Sequence, residues 1–298
     1  FTYEALKSKY GVRVVIDDVV SLDPATRALR LGSGSTLTAD RIVLAPGIDF
    51  DPIEGLANAN SMPHAWQGGP QVVTLRDQLS AMPSNGVVVL AIPKTPFRAT
   101  AAPYARACLI ADWLRKHKPQ GKLLLLDGNA DIVAEKANFA PAFAQRYASI
   151  LEYRPGVNVL AAEPGQMRLL TDGGLVPGHV FNVIPSQRAG AIARAAGLAT
   201  ANNGRFCPVN VLTYESTLAT GVHVIGDACS TAQPKAGTMG NMQGKVCADA
   251  IARSVLGIAA HSSPVTSSSG YSPISMSEAS WGLTKFQYAP PTVPGMPV

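Results

Sequence analysis

The stretch GVVVLAIPKTPFRATAAPYARACLIADWLRKHKPQGKLLLLD, residues 86–127, decides the fold class. It contains a continuous apolar run at 86–92, a helical pattern that begins at Tyr104, and a second apolar run at 121–127. Strands without polar alternation are buried on both faces, and a strand–helix–strand order makes them parallel neighbours. The sequence therefore predicts an α/β protein that contains a parallel sheet.

The connection between these two strands contains no glycine from Val87 to Cys108. A dinucleotide pyrophosphate requires the GxGxxG turn, because only glycine lets the backbone approach it closely. The unit thus has the layout of a nicotinamide-binding domain but lacks the glycine-rich turn that binds the pyrophosphate. We therefore expect that it does not bind NAD.

A second informative stretch, GVHVIGDACSTAQPKAGTMGNMQGKVCADAI, occupies residues 221–251. A buried strand ends at Gly226-Asp227, and a helix begins near Gly237 without an obvious capping residue. A strand-end carboxylate can accept hydrogen bonds from ligand hydroxyls, and free N–H groups at a helix start favour an anion or an electron-rich ring. This combination would suit a flavin; the alternative is a tight strand–helix loop with a structural aspartate.

Composition restricts the remaining possibilities. The chain has 298 residues, 47% of them hydrophobic and 15% charged, with a net charge of +5. That length suits about two domains. The chain has no cluster of basic residues interleaved with aromatic residues, which argues against nucleic-acid binding. The four cysteines form no CxxC pair, which argues against a zinc site or other metal centre. No apolar run approaches the ~18 residues of a membrane span.

The two ends of the chain differ from the central part. The chain opens within the helical pattern YEALKSKYG, so we expect that its true start is missing. A β-rich segment follows, in which VRVVID (12–17) is predicted to be a strand, and it closes with RIVLAPG, a buried strand that turns at Pro46-Gly47. Beyond the parallel unit, the pattern predicts a helix over 138–151, a strand over 156–162, and a hairpin over 166–185 that leads into a buried strand. Residues 259–298 are rich in serine and proline, which predicts a linker or an extended arm.

Six motifs, taken in order, resemble the flavoprotein subunit of flavocytochrome c sulfide dehydrogenase. They are HAW (64–66), APYARACLIADWLRKHKP (102–119), IPSQRAGAIARAAGL (184–198), CPVNVLTYEST (207–217), GVHVIGDA (221–228) and PKAGTMGNMQGKVCADA (234–250). Sulfide:quinone oxidoreductases are more distant relatives, and the resemblance extends over about residues 1–257. It implies the two dinucleotide-binding-type (Rossmann-like) domains of the disulfide reductases, FAD as cofactor, and electron transfer from sulfide to a cytochrome c subunit.

The resemblance also implies a domain layout. Residues 1–48 and 166–258 would form an FAD-binding-type domain, and residues 49–165 would form the second, NAD-binding-like domain. Residues 259–298 would be a linker and a C-terminal interface segment. Nothing in residues 1–48 supplies the family's glycine fingerprint or its flavin attachment segment, so we expect the N-terminal βαβ unit of the FAD domain to be missing. The chain would then be a fragment, be completed by a second polypeptide, or have lost tight flavin binding.

Site residues follow from the same resemblance. Gly226 and Asp227 would hold the ribityl and phosphate side of FAD, and Pro46 and Gly47 would lie near the cofactor. The cap on the flavin ring edge would consist of Pro234, Lys235, Ala236, Gly237 and Thr238.

One departure concerns the family's redox pair of cysteines. Cys207 matches one member, whereas the other position holds Ala99. A lone thiolate at Cys207 could still attack or carry sulfur, but a reversible disulfide between these two positions cannot form. An inert thiol at Cys207 is the alternative. For a reactive thiol we expect the site to be partly open. We expect Cys108, Cys229 and Cys247 to be packing residues.

Three functions follow. The first is an FAD-dependent sulfide dehydrogenase subunit, periplasmic by resemblance, that passes electrons from a small inorganic sulfur substrate to cytochrome c or another haem acceptor. The second is a truncated, non-catalytic relative that acts as a binding or assembly partner. The third, an NAD(P)H-dependent disulfide reductase, is disfavoured by the connection without glycine.

Overall fold

The computed structural model describes residues 3–288. Its strands are β1 (Val19–Asp23), β2 (Ala28–Leu31), β3 (Thr36–Thr38), β4 (Ile42–Leu44), β5 (Ile48–Phe50), β6 (Val87–Ile92), β7 (Lys122–Asp127), β8 (Leu151–Pro155), β9 (Val159–Glu163), β10 (Arg168–Thr171), β11 (Gly174–Pro177), β12 (Val180–Val183), β13 (Gln187–Ala189), β14 (Cys207–Pro208), β15 (Val222–Val224), β16 (Cys229–Ser230), β17 (Val265–Pro273) and β18 (Ala279–Gln287). Its α-helices are α1 (Glu4–Tyr10), α2 (Pro70–Ala81), α3 (Ala102–His117), α4 (Lys136–Pro141), α5 (Ala191–Ala195), α6 (Ala201–Gly204) and α7 (Gly237–Val255).

A four-stranded parallel sheet with the order β12-β6-β7-β8 forms the second structural unit. Helix α3 connects β6 to β7, so the predicted parallel βαβ unit is confirmed. Alternate residues of β6 enter two different cores. Val88 and Leu90 face the core that contains α3, whereas Val89 and Ala91 face the core beneath the antiparallel sheet β11-β10-β9. Burial on both faces explains the uninterrupted apolar sequence.

The fourth strand of this sheet corrects two predictions. The strand predicted at residues 156–162 forms as β9 (Val159–Glu163) and pairs antiparallel with β10, outside the parallel sheet. Strand β8, rather than β9, lies beside β7 in the parallel sheet. It begins where the predicted helix 138–151 ends. That helix is shorter than predicted, since α4 gives way to a π-helical turn over Ala142–Arg146.

The boundary between the two units also lies later than predicted. The predicted hairpin leading into a buried strand is present as β10, β11 and β12, but β12 pairs with β6. Residues 166–185 therefore belong with the second unit, and the boundary predicted at 165/166 is too early. The chain returns to the first unit at β13, which pairs with β5.

The first unit contains the parallel pair β4 and β15 and the meander β1-β2-β3. Its core joins Leu22 of β1, Leu44 of β4, Val224 of β15 and Cys247 of α7. A strand predicted at residues 12–17 does not form: that segment is exposed and without regular structure, and β1 begins only at Val19.

The serine-rich C-terminal segment is a regular antiparallel hairpin rather than a linker. Strands β17 and β18 pair over their full length, from Val265 opposite Gln287 to Pro273 opposite Ala279. Tyr271 lies opposite Trp281, and such cross-strand aromatic pairs stabilise hairpins. Residues 289–298, the rest of the predicted segment, lie outside the described residues. Within residues 3–288, no helix combines the length and apolar character that crossing a bilayer requires.

Candidate functional site

The predicted flavin-binding residues of the first unit converge on one sheet edge. Strands β4 and β15 run parallel, and the Ile225 N–H donates to the Leu44 carbonyl at 2.9 Å. Pro46-Gly47 and Gly226-Asp227 therefore leave the sheet side by side at its carboxyl edge. This is the edge at which open α/β sheets bind ligands.

Gly226 connects the strand end to helix α7. Its φ of 75° lies in the left-handed region, which favours glycine, and its N–H donates to the Gln243 side chain at 2.6 Å. A Cβ at Gly240, in the first turn of α7, would lie 3.3 Å from the Gly226 Cα. The two glycines thus let the helix start approach the strand end closely.

Helix α7 begins at Gly237 with no side-chain cap, as the sequence predicted. The first N–H groups of a helix have no intrahelical acceptor, and the aligned peptide dipoles add partial positive charge. Gly237 is exposed, and a Cβ at this position would meet no atom within 4 Å outside its own helix backbone. The helix start fits the electron-rich edge of a flavin ring.

The Asp227 side chain is half-buried, and no hydrogen bond from residues 3–288 reaches its carboxylate. Burial raises the pKa of this carboxyl group, while the charges of Arg98 and Lys235 oppose the shift. A half-buried carboxylate with free acceptor positions fits the hydroxyl groups of a sugar alcohol.

Lys235 is a buried lysine that ties the loop before α7 to the strand end. Its Nζ donates to the carbonyls of Asp227 at 2.8 Å and Cys229 at 2.5 Å, and it lies 3.8 Å from the Phe206 ring centroid. Burial lowers its pKa to about 8, although Cys229, Asp227 and Cys207 counteract the shift. The ammonium group of Lys235 thus lies against the carbonyls of Asp227 and Cys229 and the ring of Phe206.

Cys207 is fully buried, so the expectation that this site is partly open is wrong for this structure. It pairs with Cys229 in the short parallel bridge between β14 and β16. Burial raises the pKa of the Cys207 thiol to about 11, with Lys235 acting in the opposite direction. Ala99 contacts the loop before α7, since its N–H donates to the Lys235 carbonyl at 2.8 Å. The other three cysteines are buried, as predicted.

We expect Cys207 to resist alkylation in the native protein. At pH 8 a thiol with a pKa of about 11 is almost entirely protonated, and only the thiolate reacts with iodoacetamide. Mass spectrometry should find residue 207 unmodified before denaturation and modified in urea. Rapid native labelling of Cys207, in protein whose other cysteines stay unmodified, would contradict its burial.

A glutamine pair behind the strand end was not found from the sequence. Gln243 accepts from Gly226 and donates to the Gln233 Oε1 at 2.7 Å, which also accepts from the Tyr214 hydroxyl at 2.9 Å. The Gln233 amide donates in turn to Thr266 of the C-terminal hairpin at 2.8 Å. The only sequence signal was a glutamine within the apolar pattern of α7.

The HAW motif has a structural role in the second unit. The Arg106 guanidinium donates to the carbonyls of His64 at 2.9 Å and Ala65 at 2.7 Å, and it stacks 4.7 Å from the Trp66 ring centroid. Burial lowers the pKa of Arg106 to about 10. Arg106 also donates to the Asn182 side chain at 2.9 Å, so it joins α3 to β12 and to the motif.

A cavity of about 990 Å³ lies between the two units. Its walls are the connection between β6 and α3, the loop 231–238 and the C-terminal hairpin. Ala99 and Lys235 line it, whereas Cys207 and Asp227 do not. Among residues 3–288 no group of three or more His, Cys, Asp or Glu side chains could hold a metal ion.

Comparison with solved structures identifies the fold. The sulfide:quinone oxidoreductase of the hyperthermophilic bacterium Aquifex aeolicus superposes with a TM-score of 0.74 at 18% identity, covering 94% of this chain and 72% of that one. An FAD-dependent pyridine nucleotide-disulphide oxidoreductase from Desulfovibrio vulgaris gives a TM-score of 0.51 at 16% identity, with 88% and 69% covered. An NAD-dependent persulfide reductase from A. fulgidus gives 0.59 at 14%, with 91% and 52% covered.

The chain thus has the two-unit α/β fold of the FAD/NAD-linked disulfide reductases, as predicted. A family model adds information that fold alone does not supply: the central part of the sulfide dehydrogenase [flavocytochrome c] flavoprotein chain matches residues 72–185. The match over these residues agrees with a flavoprotein of the sulfide dehydrogenase type. The resemblance to this family is confirmed over residues 72–185, which match the central part of a flavocytochrome c sulfide dehydrogenase flavoprotein chain.

Proposed function

We propose that the protein is the flavin-carrying subunit of a sulfide dehydrogenase that passes electrons from sulfide to a cytochrome c, in the periplasm. The supporting observation is that two separate parts of the chain agree. Residues 72–185 match the family, and outside that match the strand end at Asp227 with the uncapped start of α7 would suit a flavin.

The described residues would hold FAD from two sides. Asp227 and Gly226 would face its sugar-alcohol and phosphate part, with Pro46 and Gly47 on the neighbouring strand end. The segment from Pro234 to Thr238 would face the ring edge, where the free N–H groups of α7 favour negative charge. When bound, the flavin supplies both the acceptance of an electron pair and its release as single electrons.

Cys207 is the proposed sulfur acceptor in this scheme. An S–S bond would form between its sulfur and sulfide, the protons of the two sulfur atoms would leave to solvent, and bound flavin would supply the two-electron acceptor that this oxidation needs. A thiolate is the reactive form, and the nearby ammonium of Lys235 favours that form against the effect of burial. Because the Cys207 side chain is buried, sulfur transfer to it would require a conformation in which it is accessible.

The direct experiment combines binding and reduction. Purified protein is titrated with FAD, and sulfide is then added without oxygen while the visible flavin absorbance is followed. We expect saturable binding, bleaching by sulfide and electron transfer to added cytochrome c. We expect Cys207→Ser to bind FAD but to lose most of the sulfide-dependent bleaching, because a hydroxyl is a much poorer sulfur acceptor. A protein that binds no FAD, or binds it but is not reduced by sulfide, would contradict the proposal.

A non-catalytic relative is the second candidate. It is favoured by Ala99 in place of the family's cysteine and by the burial of Cys207. Absence of flavin binding, combined with a folded and cooperative unfolding transition, would support this alternative.

A nicotinamide-dependent reductase is opposed by the second unit. Asp127 stands at the end of β7, where a dinucleotide-binding domain presents its ribose-binding acid. Its carboxylate already accepts hydrogen bonds from Tyr104 at 2.8 Å, Tyr153 at 3.0 Å and the Asn129 side chain at 2.7 Å. Bleaching of bound flavin by NADH would favour this third function.

A further inference from the structure

The C-terminal hairpin, residues 265–287, forms one wall of the 990 Å³ cavity. Residues 268–273 of β17 and 282–286 of β18 line the cavity on the side opposite the connection between β6 and α3. How the hairpin is held in place therefore determines how the cavity communicates with solvent.

One carboxylate holds both strands of the hairpin. Glu135 Oε1 accepts from the Ser272 hydroxyl at 2.7 Å, and Oε2 accepts from the Ser280 hydroxyl at 2.5 Å. Glu135 has a φ of 49°, in the left-handed region that a side chain rarely adopts. Such backbone strain is retained where the surroundings stabilise a particular side-chain position. Glu135, Ser272 and Ser280 are called the latch below.

Polar contacts also hold the base of the hairpin. The Gln233 amide donates to the Thr266 hydroxyl at 2.8 Å, and the Thr238 and Ser268 hydroxyls lie 2.8 Å apart. Thr238 belongs to the segment predicted to cap the flavin ring edge, and Gln233 directly precedes that segment.

The turn of the hairpin is held in the same way. The Tyr147 hydroxyl donates to the Ile274 carbonyl at 2.6 Å, and the Met276 N–H donates to the Asp112 carboxylate at 3.2 Å. These contacts close the hairpin against α3 and the end of the π-helical turn.

Most of the large apolar side chains of the hairpin contribute little to this attachment, although Ile274 at its turn packs against the core that contains α3. Tyr271 is 76% exposed, Met276 66%, and Trp281 and Leu283 60% each. Burial of apolar surface provides most of the stabilisation of packed elements. A surface element that is attached by polar contacts, with its apolar side chains in solvent, opens at a small fraction of the global unfolding free energy.

The connection to the body permits such movement. Gly257 ends α7 in the left-handed region with a φ of 69°, and residues 258–264 are mostly exposed and form no helix or strand. A displacement of the hairpin about this segment would leave both parallel sheets intact.

We propose that the hairpin is a lid, hinged at residues 257–264 and closed by the Glu135 latch, which controls the entry of small molecules into the cavity. The lid is independent of the cofactor and of the reaction proposed above. Its failure would leave the sulfide dehydrogenase proposal standing, and the reverse also holds.

Entry is measured with a cysteine placed inside the cavity. Thr100 lines the cavity, and all four native cysteines are buried, so Thr100→Cys supplies a probe with low background. The rate of modification at residue 100 by a bulky maleimide is followed by mass spectrometry. In this background, Glu135→Ala and, separately, Ser272→Ala with Ser280→Ala should each raise the rate roughly tenfold or more.

The control removes a glutamate that does not touch the hairpin. Glu152 forms an exposed ion pair with Arg154, and Glu152→Ala should leave the rate unchanged. The Ser272/Ser280 variant carries the test if Glu135→Ala proves to be misfolded by circular dichroism. The lid is overturned if both latch variants react at the parent rate, if the control accelerates equally, or if residue 100 of the parent already reacts as fast as in the urea-unfolded chain.

Discussion

Asp127→Ala is expected to destabilise the protein by about 3 kcal/mol or more, because it removes the acceptor of a buried network. The Asp127 carboxylate is fully buried and accepts from Tyr104 and Tyr153 at 2.8 and 3.0 Å. It also accepts from the backbone and side-chain nitrogens of Asn129, at 2.9 and 2.7 Å. Alanine would leave these donors without a partner in a region from which water is excluded. Urea unfolding measures the loss.

Two variants test the cause of that loss. Asp127→Asn keeps one acceptor oxygen but turns a donor toward the others, so its stability should fall between those of the alanine variant and the parent. Asp131→Ala removes an exposed acid that pairs with Lys136 and should change stability by less than about 1 kcal/mol. Equal unfolding midpoints for Asp127→Ala and Asp131→Ala would refute the importance of the network.

Asp227→Ala is expected to weaken FAD binding roughly ten- to a hundredfold, which corresponds to the loss of one hydrogen bond to a charged acceptor, about 1.5–3 kcal/mol. The carboxylate lies at the sheet edge beside Pro46-Gly47 and accepts no hydrogen bond from residues 3–288. Titration with FAD, followed by quenching of flavin fluorescence, gives the affinity.

The stability of the ligand-free protein separates binding from folding in this variant. Burial raises the pKa of Asp227, so the folded state binds this proton more tightly than the unfolded state. Its ionisation therefore lowers stability as pH rises above the unfolded pKa. At neutral pH alanine should not reduce the unfolding midpoint. Asp249→Ala, at an exposed ion pair with Arg253, is the control and should retain parent affinity. Parent affinity in Asp227→Ala would remove this residue from the site.

The sequence predicted the elements whose environment is nearly uniform along the chain. Strands β6 and β7 are buried on both faces, so apolar residues continue without alternation, and the connection through α3 makes them parallel. The start of α7 and the strand end at Asp227 could also be predicted, because a strand, a glycine-rich turn and a helix follow one another directly in the chain.

Features that depend on distant residues could not be predicted in this way. Strand β12 has the local pattern of any buried strand, and only its pairing with β6 assigns it to the second unit. The hairpin formed by β17 and β18 has the composition of a linker, but each strand supplies the hydrogen-bond partners of the other.

The sequence by itself thus determined the α/β class, the parallel pairing of β6 and β7 through α3, and the family resemblance of residues 72–185. Only the tertiary structure decided that Cys207 is buried, that the ammonium of Lys235 lies against Phe206, and that Glu135 holds both strands of the hairpin. The physical reason is that exposure, charge environment and hydrogen bonding depend on side chains brought together from distant positions. A local pattern carries information only about its immediate neighbours.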